Sequence, residues 1–168
     1  FVEGYHHKIM ADAFERVAAG TLKRLIINMA PRHTKSEFAS HLFPAFFMGQ
    51  HPAKYVIQSS NTSDLAVDFG RKVRDTIREP KFSKIFPECS IHDDVAAAGK
   101  WKTTAKGEYF AIGVGGTLTG RGGDLIIIDD PHSEQEAKQA ETRPEIYDSV
   151  MEWYTSGPRQ RVQPGAAI

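Results

Sequence analysis

The chain has 168 residues, with 21 basic and 21 acidic side chains and 40% apolar residues. That mixture excludes a disordered chain. A single cysteine, Cys89, excludes a disulfide framework and any multi-thiolate zinc site. No apolar run is long enough to span a membrane, so the expected setting is a reducing cytoplasm. The neutral total conceals an asymmetry: residues 1–84 hold 13 basic and 8 acidic side chains, and residues 85–168 hold the reverse.

His7 to Ala19 has Ile9, Ala13 and Val17 at helical spacing and Gly20 as a stop. Leu25-Ile26-Ile27 reads as a buried strand. Ser36 to Met48 predicts a helix with Phe38, Leu42 and Phe46 on one stripe, kinked or shortened by Pro44. Tyr55-Val56-Ile57 is a second strand. Asp64 to Ile77 sets Leu65, Phe69, Val73 and Ile77 four apart, with Thr62 or Ser63 as the N-cap. Trp101 to Thr104 and Tyr109 to Val114 predict a hairpin over Ala105-Lys106-Gly107. Leu125 to Ile128 is the most strongly apolar strand. Glu134 to Trp153 is helical and split by Pro144, and Ala166-Ala167-Ile168 opens a further strand after Pro164-Gly165. Phe1 at one end and that apolar run at the other read as cuts through a longer protein. Strands alternating with helices predict an α/β domain with a mostly parallel sheet flanked by helices.

Two segments carry chemistry. In the first, Leu25-Ile26-Ile27 runs into a short loop, then Lys35-Ser36, then a helix. A phosphate-binding loop needs that context: backbone N–H groups wrap phosphate, the lysine reaches the outer phosphates, and the hydroxyl ligates Mg²⁺. The pattern G-x-x-x-x-G-K-[ST] is departed from at Met29 and Thr34, and an ordinary strand-to-helix turn explains Lys-Ser equally well. In the second, Leu125-Ile126-Ile127-Ile128 closes on Asp129-Asp130. A carboxylate at the end of a strand beside the loop strand holds Mg²⁺ through water, and the next one polarises the attacking water. Their joint occurrence favours the nucleotide reading over two unrelated turns.

Three blocks, Ala30 to Glu37, Gly115 to Pro131 and Ser156 to Ile168, resemble the ATPase domain of the large terminase subunit of tailed bacteriophages. The resemblance covers nearly the whole chain. It implies a P-loop NTPase fold of the additional-strand, catalytic-carboxylate type, with a catalytic carboxylate on the strand next to the phosphate loop. It also implies that residues 1–168 are an ATPase domain truncated at both ends, without the C-terminal nuclease domain. Carried over by position, Ala30, Pro31, Arg32, His33, Thr34, Lys35 and Ser36 form the ATP-binding loop. Ser36 and Asp129 serve Mg²⁺, Asp130 activates water, Arg32 senses the γ-phosphate, and Arg121 acts across a ring on a neighbour's ATP. Thr34 stands where a glycine is usual, which crowds the loop if that position needs φ > 0. Asp130 stands where many such motors have Glu, leaving Glu134 and Glu136 as alternatives.

The implied activity is ATP hydrolysis powering double-stranded DNA translocation into a procapsid. The implied partners are DNA, a portal protein, a small terminase subunit and further copies of the chain in a ring. The implied location is the host cytoplasm, transiently on the procapsid. A helicase or recombination ATPase, and a degenerate nucleotide-binding assembly module without turnover, are the competing expectations. His6 and His7 read as surface histidines, Cys89 as a buried filler, and Trp101 and Trp153 as core or interface aromatics. Arg71, Lys72, Arg74 and Arg78 read as a solvated helix face, with a DNA-facing row as the alternative.

Overall fold

A computed structural model describes residues 4–168. Helix α1 (Tyr5–Ala18) is followed by a long irregular stretch, a π-helical turn (Glu37–Leu42) and α2 (Phe43–Gln50). Then come β1 (Tyr55–Ser60), α3 (Ser63–Ile77), α4 (Pro80–Ile85), β2 (Ile91–Ala97), β3 (Lys100–Thr103) and β4 (Glu108–Gly113). The chain closes with β5 (Gly123–Asp129), α5 (Glu134–Ala140), α6 (Glu145–Ser156), a 3₁₀ turn (Pro158–Arg161) and β6 (Val162–Ala167). One six-stranded sheet has the order β2-β3-β4-β1-β5-β6. The run β4-β1-β5-β6 is parallel, and β2-β3-β4 is antiparallel. The β3–β4 hairpin turns at Lys106, which has φ 72.

Apolar side chains on one sheet face meet α1, α2 and α3 in the larger core, with Trp101 stacked on Tyr109 at 4.8 Å. On the other face, Ile57, Ile112 and Ile126 pack with Leu118 from the glycine-rich loop. That loop is pinned by α6, whose Trp153 Nε1–H donates to the Gly116 carbonyl at 3.1 Å. Both tryptophans are therefore packing residues. Cys89 is a buried filler, and burial pushes its thiol up to about 11. Thr62 caps α3 by accepting from Leu65 N–H at 3.2 Å.

Several expectations are corrected. The buried stripe of α1 is His7, Met10, Phe14 and Val17. Ile9 is exposed, because its 100° step from Met10 turns it off the core face. Leu65 is exposed in the same way, and Ala66 and Gly70 face the sheet instead. The Ser36–Met48 segment is one helical run, but its first part is π-wound. The wider turn rotates Leu42 outward and turns Ser40 and Phe43 inward. Pro44 directly follows the π-wound turn and does not end the run, which continues to Gln50.

Leu25-Ile26-Ile27 is not a buried strand: Ile26 is 84% exposed. The segment is held to the sheet by two bonds at its start, Leu25 N–H to Ile168 O and Ile168 N–H to Lys23 O, both 3.0 Å. Residues 22–30 form no regular element. Strand β5 is also not beside this segment. It pairs with β1 and β6, so β6 lies between.

Candidate functional site

Parallel strands β4, β1 and β5 end together at Gly113, Ser60 and Asp129, the edge at which open α/β sheets bind ligands. Asp129 is the last residue of β5 and Asp130 leaves the strand with φ 44, a left-handed conformation. Across from them, residues 31–34 turn sharply and the helical run starts at Lys35. Arg32 has φ 65 and Thr34 has φ 62. Three non-glycine residues in the left-handed region therefore surround one spot, a cost of roughly 1–3 kcal/mol each. Thr34 is the most costly, because a β-branched side chain resists this conformation. The sequence position that favours glycine thus does need φ > 0.

The lysine and the carboxylates meet. Lys35 Nζ donates to Asp130 Oδ1 and lies 3.5 Å from Asp129 Oδ1. Partial burial works against the ammonium, but the Asp130 hydrogen bond and the two carboxylate charges outweigh it and raise the Lys35 pKa above its ordinary value. The two aspartates differ in setting. Asp129 is 6% exposed, and its Oδ2 accepts from the buried Ser40 Oγ at 2.9 Å. The Asp130 side chain is 63% exposed. The π-turn that turns Ser40 inward is braced from outside: His41 joins Glu37 Oε1 and Thr76 Oγ1, each at 2.7 Å. Lys35, Asp129 and Asp130 line one end of a cavity of about 830 Å³ between residues 24–29 and β5.

The remaining candidates fall elsewhere. Arg32 and His33 are exposed on the loop, and the Pro31 carbonyl contacts His33 Nδ1 at 2.9 Å. Ser36 is half-buried one residue beyond Lys35. Arg121 sits at the opposite edge of the sheet, where it pairs with Glu108 and covers the Phe110 ring at 4.0 Å. Asp124, three residues on, is taken by Lys54 Nζ at 2.7 Å and Tyr55 N–H at 2.8 Å. Glu136 is committed to structure. Its Oε2 accepts from Ser133 N–H and Ser133 Oγ, both 2.7 Å, and from Asn61 Nδ2 at 2.8 Å. Those bonds, led by the Ser133 backbone, hold its carboxyl below the ordinary range. Glu134 is exposed in the first turn of α5.

The basic face of α3 is largely neutralised. Arg71 pairs with Asp68 at 2.7 Å, Lys72 with Glu37 at 3.6 Å, and Arg74 with Asp75 at 2.8 Å. Arg74 is mostly covered, its side chain 16% exposed, whereas Arg71 and Lys72 are solvated. His7 overturns the surface reading: it is 6% exposed and its Nε2 lies 2.7 Å from Thr34 Oγ1. Sequence reasoning missed His7 and Ser40. The 3-4-3 spacing of His7, Met10, Phe14 and Val17 was a signal for the first. No sequence feature announces the π-turn that brings in the second.

No protein-family model and no curated protein matches this chain.

Proposed function

We propose that this chain is the ATP-hydrolysing domain of a tailed-phage DNA-packaging terminase, a P-loop ATPase acting with Mg²⁺. The observation that carries the reading is the meeting of Lys35 with Asp129 and Asp130 at the C-terminal edge of the parallel sheet, against a strained turn that opens a helix. An additional-strand arrangement is supported by β6, which separates residues 23–25 from β5.

The donor set suits the ligand. Backbone N–H groups at the start of a helix and a lysine ammonium match phosphate. One hydroxyl and carboxylate oxygens are hard ligands, and Mg²⁺ bound with phosphate needs only one or two carboxylates from protein. Bound Mg²⁺ would neutralise charge developing on the phosphoryl oxygens. Ser36 and Asp129 would hold it, with Ser40 fixing the inner carboxylate oxygen. Lys35 would exchange its Asp130 partner for phosphate. That exchange frees the exposed Asp130 carboxylate to orient water and accept its proton. Arg32, exposed on the same loop, would meet the terminal phosphate. Arg121 would act on a neighbouring copy, since the length of β5 separates it from its own Lys35.

The test is calorimetric titration with a non-hydrolysable ATP analogue, with and without Mg²⁺. Wild-type chain binds, and Mg²⁺ tightens the binding. Asp129→Asn loses about 10- to 100-fold of the Mg²⁺-dependent part and keeps the metal-free part. A wild-type chain that binds no nucleotide overturns the reading, and binding without phosphate release identifies the non-hydrolysing module instead.

A further inference from the structure

Thr34 carries the loop's costliest conformation, a left-handed φ of 62 on a β-branched residue. Its contacts account for its staying there. Gly4 N–H donates to His7 Nδ1 at 2.8 Å. An N–H can only donate, so Nδ1 is the acceptor, and in the neutral ring the hydrogen sits on Nε2. His7 Nε2–H therefore donates to Thr34 Oγ1 over 2.7 Å. The Thr34 hydroxyl hydrogen then goes to the His33 carbonyl at 2.6 Å. Thr34's own carbonyl accepts from Phe38 N–H at 3.0 Å, and the His7 ring stacks on Phe38 with centroids 4.8 Å apart. One continuous chain of bonds runs from the start of α1 to the residue before Lys35.

We infer that His7 is a positioning residue: its hydrogen bond to Thr34 holds the strained left-handed turn that sets Lys35, doing for threonine what glycine would do unaided. Released from His7, Thr34 relaxes toward negative φ and carries the 34–35 peptide, and Lys35 with it, out of register. The strain and its clamp stand on the loop geometry, while their effect on nucleotide rests on the phosphate-loop reading above.

A double-mutant cycle on this chain tests the inference, with His7→Ala, Thr34→Gly and the pair, read by ATP affinity and by melting temperature. His7→Ala weakens ATP binding about tenfold in the wild-type background and less than about twofold in the Thr34→Gly background. Thr34→Gly supplies the unstrained background, because glycine takes φ > 0 unaided and leaves His7 nothing to hold. His7→Gln, which retains an amide donor, restores most of the affinity. Equal losses in both backgrounds overturn the inference, and so does a Thr34→Gly variant as damaged as His7→Ala. If His7→Ala does not fold, Thr34→Gly and His7→Gln decide the matter by the same criteria. If no variant and no wild-type chain binds ATP, the phosphate-loop reading fails. The melting temperatures then decide the clamp alone: non-additive shifts uphold it and additive ones overturn it.

Discussion

Strand β5 begins beside Asp124 and runs out through Asp129 into Asp130, and the chain treats Asp124 and Asp130 in opposite ways. At the N-terminal end, Asp124 is closed off by Lys54 and the Tyr55 N–H, and beside it Arg121 is closed off by Glu108 and Phe110. At the C-terminal end, Asp130 is exposed, its backbone is left-handed, and the facing loop adds two more left-handed residues. A chain that satisfies every charge and keeps relaxed dihedrals is stabilising itself. A chain that holds strain around one exposed carboxylate and one lysine keeps that arrangement for a reason other than stability.

Substitution at each end turns this contrast into separate readouts. The largest expected effect is at the strained end. Asp130→Asn lowers phosphate release by about 10²- to 10⁴-fold, the contribution of a positioned base, and leaves analogue binding within about twofold. Retained hydrolysis moves the water-orienting role to Glu134, because Glu136 is occupied by its cap. The next effect is at the relaxed end. Asp124→Ala strands the Tyr55 N–H and lowers stability by about 1–3 kcal/mol, read by urea denaturation, while phosphate release per folded molecule stays at the wild-type level. A smaller loss follows from Ser133→Ala, which removes the reciprocal cap with Glu136 for about 1 kcal/mol, read as a lowered melting temperature.

The smallest effect is on pH dependence. Folding raises the Lys35 pKa above its ordinary 10.5. The ammonium therefore favours the folded chain at neutral pH, and that contribution fades as pH climbs past 10.5 and through the raised value. Thermal melts above pH 10.5 should fall more steeply for wild type than for Lys35→Met.

Much of this was legible in the sequence. The alternating elements, the Trp101–Val114 hairpin and the split at Pro144 follow from periodicity and turn chemistry, which are local; the meeting of Lys35 with Asp129-Asp130 was expected from the two motifs taken together. What was not legible depends on partners distant in sequence. Leu25-Ile26-Ile27 has a strand's composition, but composition cannot say which segment pairs with it, and its two bonds go to Ile168, more than 140 positions away. The glycine-rich run at 115–123 signals a loop, yet not that Arg121 spends its charge on Glu108. Thr34 was visible as an anomaly against the glycine pattern, and the His7 bond that accommodates it spans 27 residues.

The lysine at one end of β5 would serve chemistry and the lysine at the other the fold, a division read by steady-state phosphate release and thermal melting of Lys35→Ala and Lys54→Ala side by side. Lys35→Ala should lose phosphate release by about 10³-fold or more, the scale of lost electrostatic stabilisation of the transferring group, with a melting temperature close to wild type. Lys54→Ala should melt lower and release phosphate at the wild-type rate per folded molecule. Undiminished release by Lys35→Ala would contradict the division.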